Sequence, residues 1–364
     1  MRPTMRRIAL LSLFFLSTLS ATAQGLAAFH DYRNYFMVFD KGMFYEAEYL
    51  RVNNFKVTKS FVVYVASDEK LKAFQDGKKN VIAEYFEYFY VGEDFVVYEY
   101  RQHVFKYSDG ITTELCDWCN ATATDSLLRI VRNPGSIQEI TINGKTTEVT
   151  RDVETTTMIS FRMSKNVFAF TDVGNNLRVM YKGEVWDMQA NDPGKYLSAA
   201  NIVAWTDKFE NLLKVFYKGF IYDVDDHLPK NMVIADNMLA FIDYAGKFKI
   251  FYDGKTIEIS SFEPQKFLGR DDLIIYELNN QMKVFWKGKE YILEDYIPKL
   301  YGFSLGTFGY IDQYGKLAVF SNGEQKKNLS YEKANKLELY KDVLMFTTGI
   351  NTINAFWEGK VYTY

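Results

Sequence analysis

The sequence predicts an all-β fold: a β-propeller of about ten four-stranded repeats, each roughly 35 residues long. Three observations carry that expectation. A glycine-anchored motif recurs along the chain, as in Leu213–Gly219, Phe248–Gly254 and Met282–Gly288. After the glycine, apolar residues alternate at period two, the pattern of a strand. The runs before it are apolar on both faces, so each sheet must be covered on both sides by neighbours. With 30 Phe and 27 Tyr in 364 residues, the chain has ample apolar surface to offset its ordering entropy, which excludes a disordered protein.

The first element in the chain is a leader. Arg2, Arg6 and Arg7 precede an apolar stretch from Ile8 to Leu19, and Ala21-Thr22-Ala23 then supplies small residues before Gln24. This is the pattern of a secretory signal peptide over residues 1–23, with residues 24–364 as the repeat domain. No later segment reaches eighteen uninterrupted apolar residues, so no membrane span is expected after cleavage. Cleavage takes the 43 basic residues to 40, against 46 acidic ones. That balance leaves no cationic footprint for nucleic acid.

The repeats follow. Gly42, Gly77, Gly110, Gly144, Gly183, Gly219, Gly254, Gly288, Gly323 and Gly359 lie 33–39 residues apart. Each unit opens with a weak apolar run, such as Met232–Ala235. A stronger run comes next and usually closes on an aspartate, as in Leu239–Asp243. The motif itself is the third strand, with a large apolar residue three places before the glycine in every copy except Thr141. A residue-Gly pair then marks a tight hairpin, because glycine takes positive φ without a Cβ clash. The fourth strand alternates, as in Tyr222/Val224 and Ile257/Ile259. No segment beyond the leader keeps a helical period.

The half-unit Leu239–Gly254 resembles TolB-like (PD40-like) propeller repeats, a resemblance that implies architecture and no function; their Pro-Asp-Gly turn is absent here. The Ala-Gln junction, the aromatic-rich repeats and Asp125-Ser126-Leu127, which is similar to a short O-glycosylation motif, look like secreted proteins of Bacteroidota. Ten units exceed the usual four to eight blades. One large ring or two smaller rings fit, with a subdivision expected near residues 116–163, the least regular stretch. The architectural rival is an outer-membrane β-barrel, whose strands need about nine to eleven residues.

Chemistry has few footholds. Cys116-Asp117-Trp118-Cys119 reads as a local disulfide pinning a loop, with dithiol redox activity as the sharper alternative. Asp223, Asp225, Asp226 and His227 form an acidic cluster without the spacing of a calcium loop. Asp31, Asp172, Asp207, Asp243 and Asp312 close second strands and suit turn capping. Lys72, Arg178, Lys214, Lys249 and Lys283 each lie five residues before a glycine and make a candidate basic ring for an anionic ligand. His30, His103 and His227 are scattered, and no nucleophile elbow, phosphate loop or zinc motif is present. Asn120-Ala121-Thr122 is a glycosylation sequon.

These readings favour a protein without catalytic residues, cofactor or metal. The expected role is a periplasmic or extracellular interaction module or scaffold, with an unidentified protein partner in an outer-membrane or secretion-associated assembly, including type IX secretion. The last repeat reaches Tyr364 and leaves no room for a sorting domain, so the periplasm is preferred. A carbohydrate-binding or carbohydrate-active propeller working at its central channel is the alternative, since Tyr and Trp stack on sugars.

Overall fold

A computed structural model describes residues 25–364 except 125, 133–136, 143–144, 151–159, 173 and 191–192. The leader, Gly144 and Asp125 lie outside the described residues. Among the described residues there are 39 strands and no helix. They form ten antiparallel sheets, and in every sheet the strands are hydrogen-bonded in chain order. The first sheet, Leu26–His30, Phe36–Asp40 and Met43–Glu48, has three strands; the other nine have four. We call the sheets blades 1 to 10, and their strands A (innermost) to D (outermost), with blade 1 contributing B to D.

The hairpin chemistry is uniform. At the C–D turn of nine blades, the glycine and the residue before it both have positive φ, as at Lys41 (48°) and Gly42 (94°) or Asp253 (46°) and Gly254 (76°). That is the type I′ turn, whose twist matches the flanking strands. Eight blades share a second device, a register shift near the start of the C–D pairing that leaves one strand D residue without an opposite number, as across from Leu71/Lys72 and Leu213/Lys214. The extra residue bends strand D and increases its local twist.

The core lies between the sheets. Ten separate clusters of buried residues each join two successive blades. One of them closes the circle: Ala27, Phe29, Met37 and Phe39 of blade 1 pack on Val343, Met345 and Ala355 of blade 10. The chain is therefore one ring of ten blades. Two rings would need two closures, and a membrane barrel would need one continuous sheet with one face turned to lipid. Here strands of three to seven residues make separate sheets, with strands such as Val167–Thr171 and Met238–Ile242 buried along their whole length. The barrel reading is thus corrected.

Candidate functional site

Strand order divides the ring into two ends. The A–B and C–D turns lie at one end, the B–C turns and the connections between blades at the other.

At the first end the A–B turns of neighbouring blades are bonded into a belt. Asn166 donates its backbone N–H to Ala200 O (3.1 Å) and its side-chain amide to Asn201 Oδ1 (2.8 Å). Asn201 in turn donates to Asp236 O (3.0 Å) and to Asn237 Oδ1 (2.9 Å). Ser60 donates to Asp94 (2.8 Å), Ser126 to Lys165 O (2.7 Å), and the Leu305 N–H to Asp271 (2.7 Å). Ion pairs then reach further. Lys165 of blade 5 meets Asp236 of blade 7 at 3.0 Å and Asp271 of blade 8 at 3.9 Å. Glu93 of blade 3 is buried between Lys59 of blade 2 and Lys341 of blade 10, the latter at 3.4 Å. Three lysines face three carboxylates, so the cluster is balanced. Burial alone would lower the Lys165 ammonium, but Asp236 and Asp271 outweigh it and hold it above its ordinary value. Burial raises the Asp236 carboxyl despite Lys165. A small hollow of about 310 Å³ sits against this cluster. Sequence reasoning missed the belt, although its first turn residues stand 17–19 places before the repeat glycines and are mostly charged.

The basic residues and the aspartates, treated as two sets in the sequence, meet in the structure. Asp207 Oδ1 accepts the N–H groups of Phe209 and Glu210 (3.0 Å each), while Oδ2 lies 3.0 Å from Lys214. Lys249 sits between Asp243 (2.8 Å) and Asp225 (2.7 Å). Arg178 joins Asp172 (3.3 Å) to Asp187 (3.0 Å). Lys72 pairs with Glu48 and Asp68, and Lys283 with Glu290. Asp31 and Asp312 accept backbone N–H groups of their own B–C turns, and Asp31 also pairs with Arg33. Burial would raise the Asp207 and Asp243 carboxyls. Backbone N–H groups and the adjacent lysine override it and hold both below the usual range. Each base is thus committed to a carboxylate within or beside its own blade.

The remaining sequence candidates are dispersed. Asp225 serves Lys249, and the His227 ring stacks on Tyr244 at 5.4 Å. The His30 imidazole accepts from the Val52 N–H, and His103 contacts Glu114 at 2.7 Å. Among the described residues no group of acids, histidines and cysteines is placed to hold a metal. Asn120 is exposed on strand A of blade 4.

The second end is different in kind. Large apolar side chains stand out from its turns: Tyr32, Phe209, Tyr244, Tyr314 and Ile350 at B–C turns, and Tyr49, Tyr85, Trp118, Phe262 and Tyr331 in connections between blades. Phe209 and Ile350 are 93% and 95% exposed. At the opposite end, the exposed Met43, Ile111 and Phe220 belong to the first positions of strand D and not to turns. Trp118 is held out by its neighbours: Cys116 and Cys119 are buried and joined by a disulfide across the connection from blade 3 to blade 4, with Cα atoms 6.2 Å apart. The Trp118 N–H is bonded to Gln102 O at 2.9 Å.

Comparison with solved structures returns proteins of distant sequence. The computationally designed Ika8 protein is 13% identical, with 92% of this chain and 99% of that chain covered and a TM-score of 0.36. The CRINKLY WD40 ectodomain of the receptor kinase ACR4 from Arabidopsis thaliana is 9% identical, with 66% and 96% covered and a TM-score of 0.35. PorZ, a bacterial surface component of the type IX secretion system of Porphyromonas gingivalis, is 9% identical, with 93% and 52% covered and a TM-score of 0.28. No curated protein matches the sequence. A family model described as a 10-bladed beta propeller domain matches residues 20–362, and the chain belongs to that family.

Proposed function

We propose that this propeller is a non-enzymatic interaction module that docks a protein partner on the end bearing the B–C turns and blade connections. The single observation behind this is the collection of outstanding Tyr, Phe, Trp and Ile side chains at that end. Exposed aromatics held on rigid turns are the residues that dominate protein interfaces. The other end supports the reading by contrast, since its turn-borne charges are largely spent on the belt that ties the blades together. The arginine-rich leader, with its apolar stretch and small-residue junction, supports export to the periplasm. An outer-membrane or secretion-associated assembly is the setting we infer for the complex.

The test is native extraction in mild detergent, comparing the wild-type protein with Trp118→Ala and with a Phe209→Ser/Tyr244→Ser double variant. A large complex for the wild type that falls to the monomer in the variants supports the reading. A wild-type protein that is strictly monomeric in native extracts overturns it. Cell fractionation that leaves the protein with cytoplasmic markers overturns the assignment of compartment.

A further inference from the structure

We infer a binding site for a short neutral oligosaccharide in the hollow between blades 2 and 3. This inference is independent of the protein-docking reading. The hollow encloses about 730 Å³, within the span of about 300–1,000 Å³ usual for small-ligand sites. Its wall comes from the connection into blade 2 (Arg51, Asn53, Asn54), the B–C turn of blade 2 (Glu69) and strand A of blade 3 (Tyr88, Tyr90).

Two features set it apart. Among the described residues, the side chains of Arg51, Asn53, Asn54, Glu69, Tyr88 and Tyr90 make no hydrogen bond or ion pair, whereas Lys72, Arg178, Lys214, Lys249 and Lys283 are all paired with carboxylates. Donors and acceptors therefore line one cavity without protein partners. Tyr88 and Tyr90 are also exposed at alternate positions of the same strand, so their rings stand on one side of it, roughly 7 Å apart along the chain. Phe86 and Phe89 pack the same segment into the core shared by blades 2 and 3, which makes the platform rigid.

The chemistry selects the ligand. A sugar ring offers an apolar C–H face to stack on tyrosine and a rim of hydroxyls that both donate and accept. Carboxylate and amide oxygens take the hydroxyl protons, and the guanidinium and amide N–H groups bond the sugar oxygens. Against the one guanidinium stand two carboxylates, Glu69 and Glu87, which would repel a phosphate, sulfate or uronate. A neutral glycan meets neither penalty.

The test titrates the full-length exported protein with cellotetraose, maltotetraose, mannotetraose and chitotetraose, by calorimetry and by saturation-transfer NMR. Trigalacturonate and unstructured hexapeptides serve as the anionic and peptide arms. The expected result is saturable binding of at least one neutral tetrasaccharide, weakened at least tenfold in Tyr88→Ala/Tyr90→Ala with an unchanged melting midpoint. If that variant misfolds, Asn54→Ala is expected to weaken binding at least threefold. Failure of all four neutral sugars to bind overturns the inference. So does tighter binding of trigalacturonate or a hexapeptide, or unaltered affinity in a folded tyrosine variant.

Discussion

Replacing Asp207 separates the two tasks that its carboxylate performs at the B–C turn of blade 6. Its side chain is 6% exposed and accepts two backbone N–H bonds while pairing with Lys214, itself 17% exposed. Asp207→Ala removes all of this. At about 1 kcal/mol per lost turn bond and about 1–2 kcal/mol for the pair, the expected loss is about 3–4 kcal/mol. Asp207→Asn keeps an oxygen for the two N–H groups and loses the charge, for a cost of about 1–2 kcal/mol. Urea unfolding followed by tryptophan fluorescence reads both. The pH dependence adds a signature. The folded Asp207 carboxyl lies below its ordinary value of 3.8. Its stabilisation is therefore complete above that value and fades as pH falls through the lowered folded pKa. The gap between wild type and Asp207→Asn should close in that acid window and stay constant around neutrality. Equal losses for Asn and Ala would refute turn capping. A gap unchanged by acid would refute the ionic contribution.

Other outcomes follow from the same geometry. Gly219→Ala meets open space but keeps φ at +93°, for a loss of about 1–2 kcal/mol, whereas Gly323→Ala also drives a methyl to 2.6 Å from the Trp286 ring and should lose clearly more in chemical denaturation. Phe216→Ala empties a site shared by blades 5 and 6 and should cost about 3–5 kcal/mol, with a urea midpoint near wild type counting against inter-blade packing as the main support. Removing the Cys116–Cys119 bridge frees a short loop and should cost about 2 kcal/mol, and a protein fully insensitive to reductant would contradict that estimate. In a double-mutant cycle, Lys165→Met and Asp236→Asn should couple by about 1–3 kcal/mol, because each leaves the other's half-buried group without its partner; additive losses would show the pair to be idle.

The periodic features were legible in the chain because they are local. Positive φ at the residue-Gly turn depends on the two residues themselves, and strand alternation depends on the pleat. The inference that blades cover one another came from apolar residues such as Val203 and Trp205, which no single sheet could bury. Even the capping role of Asp207 could be argued, since its bonds reach only two and three residues ahead. Its union with Lys214 could not, because the two lie on neighbouring strands, and the pairing register that sets Lys214 opposite Trp205 and near Asp207 is not written in the one-dimensional pattern.

By itself, then, the sequence determined the repeat, its four strands, its tight turns and the need for neighbours on both faces. The tertiary structure decided how many neighbours close the circle and what meets across it. Closure depends on the wedge angle set by ten interlocking side-chain layers, a property of shapes in contact and not of any residue pattern. The same packing carries Lys341 to Glu93 across 248 residues, and it gathers Phe209, Trp118 and Ile350 from separate repeats onto one end. These are juxtapositions of residues far apart in the chain, and only a closed ring brings them together.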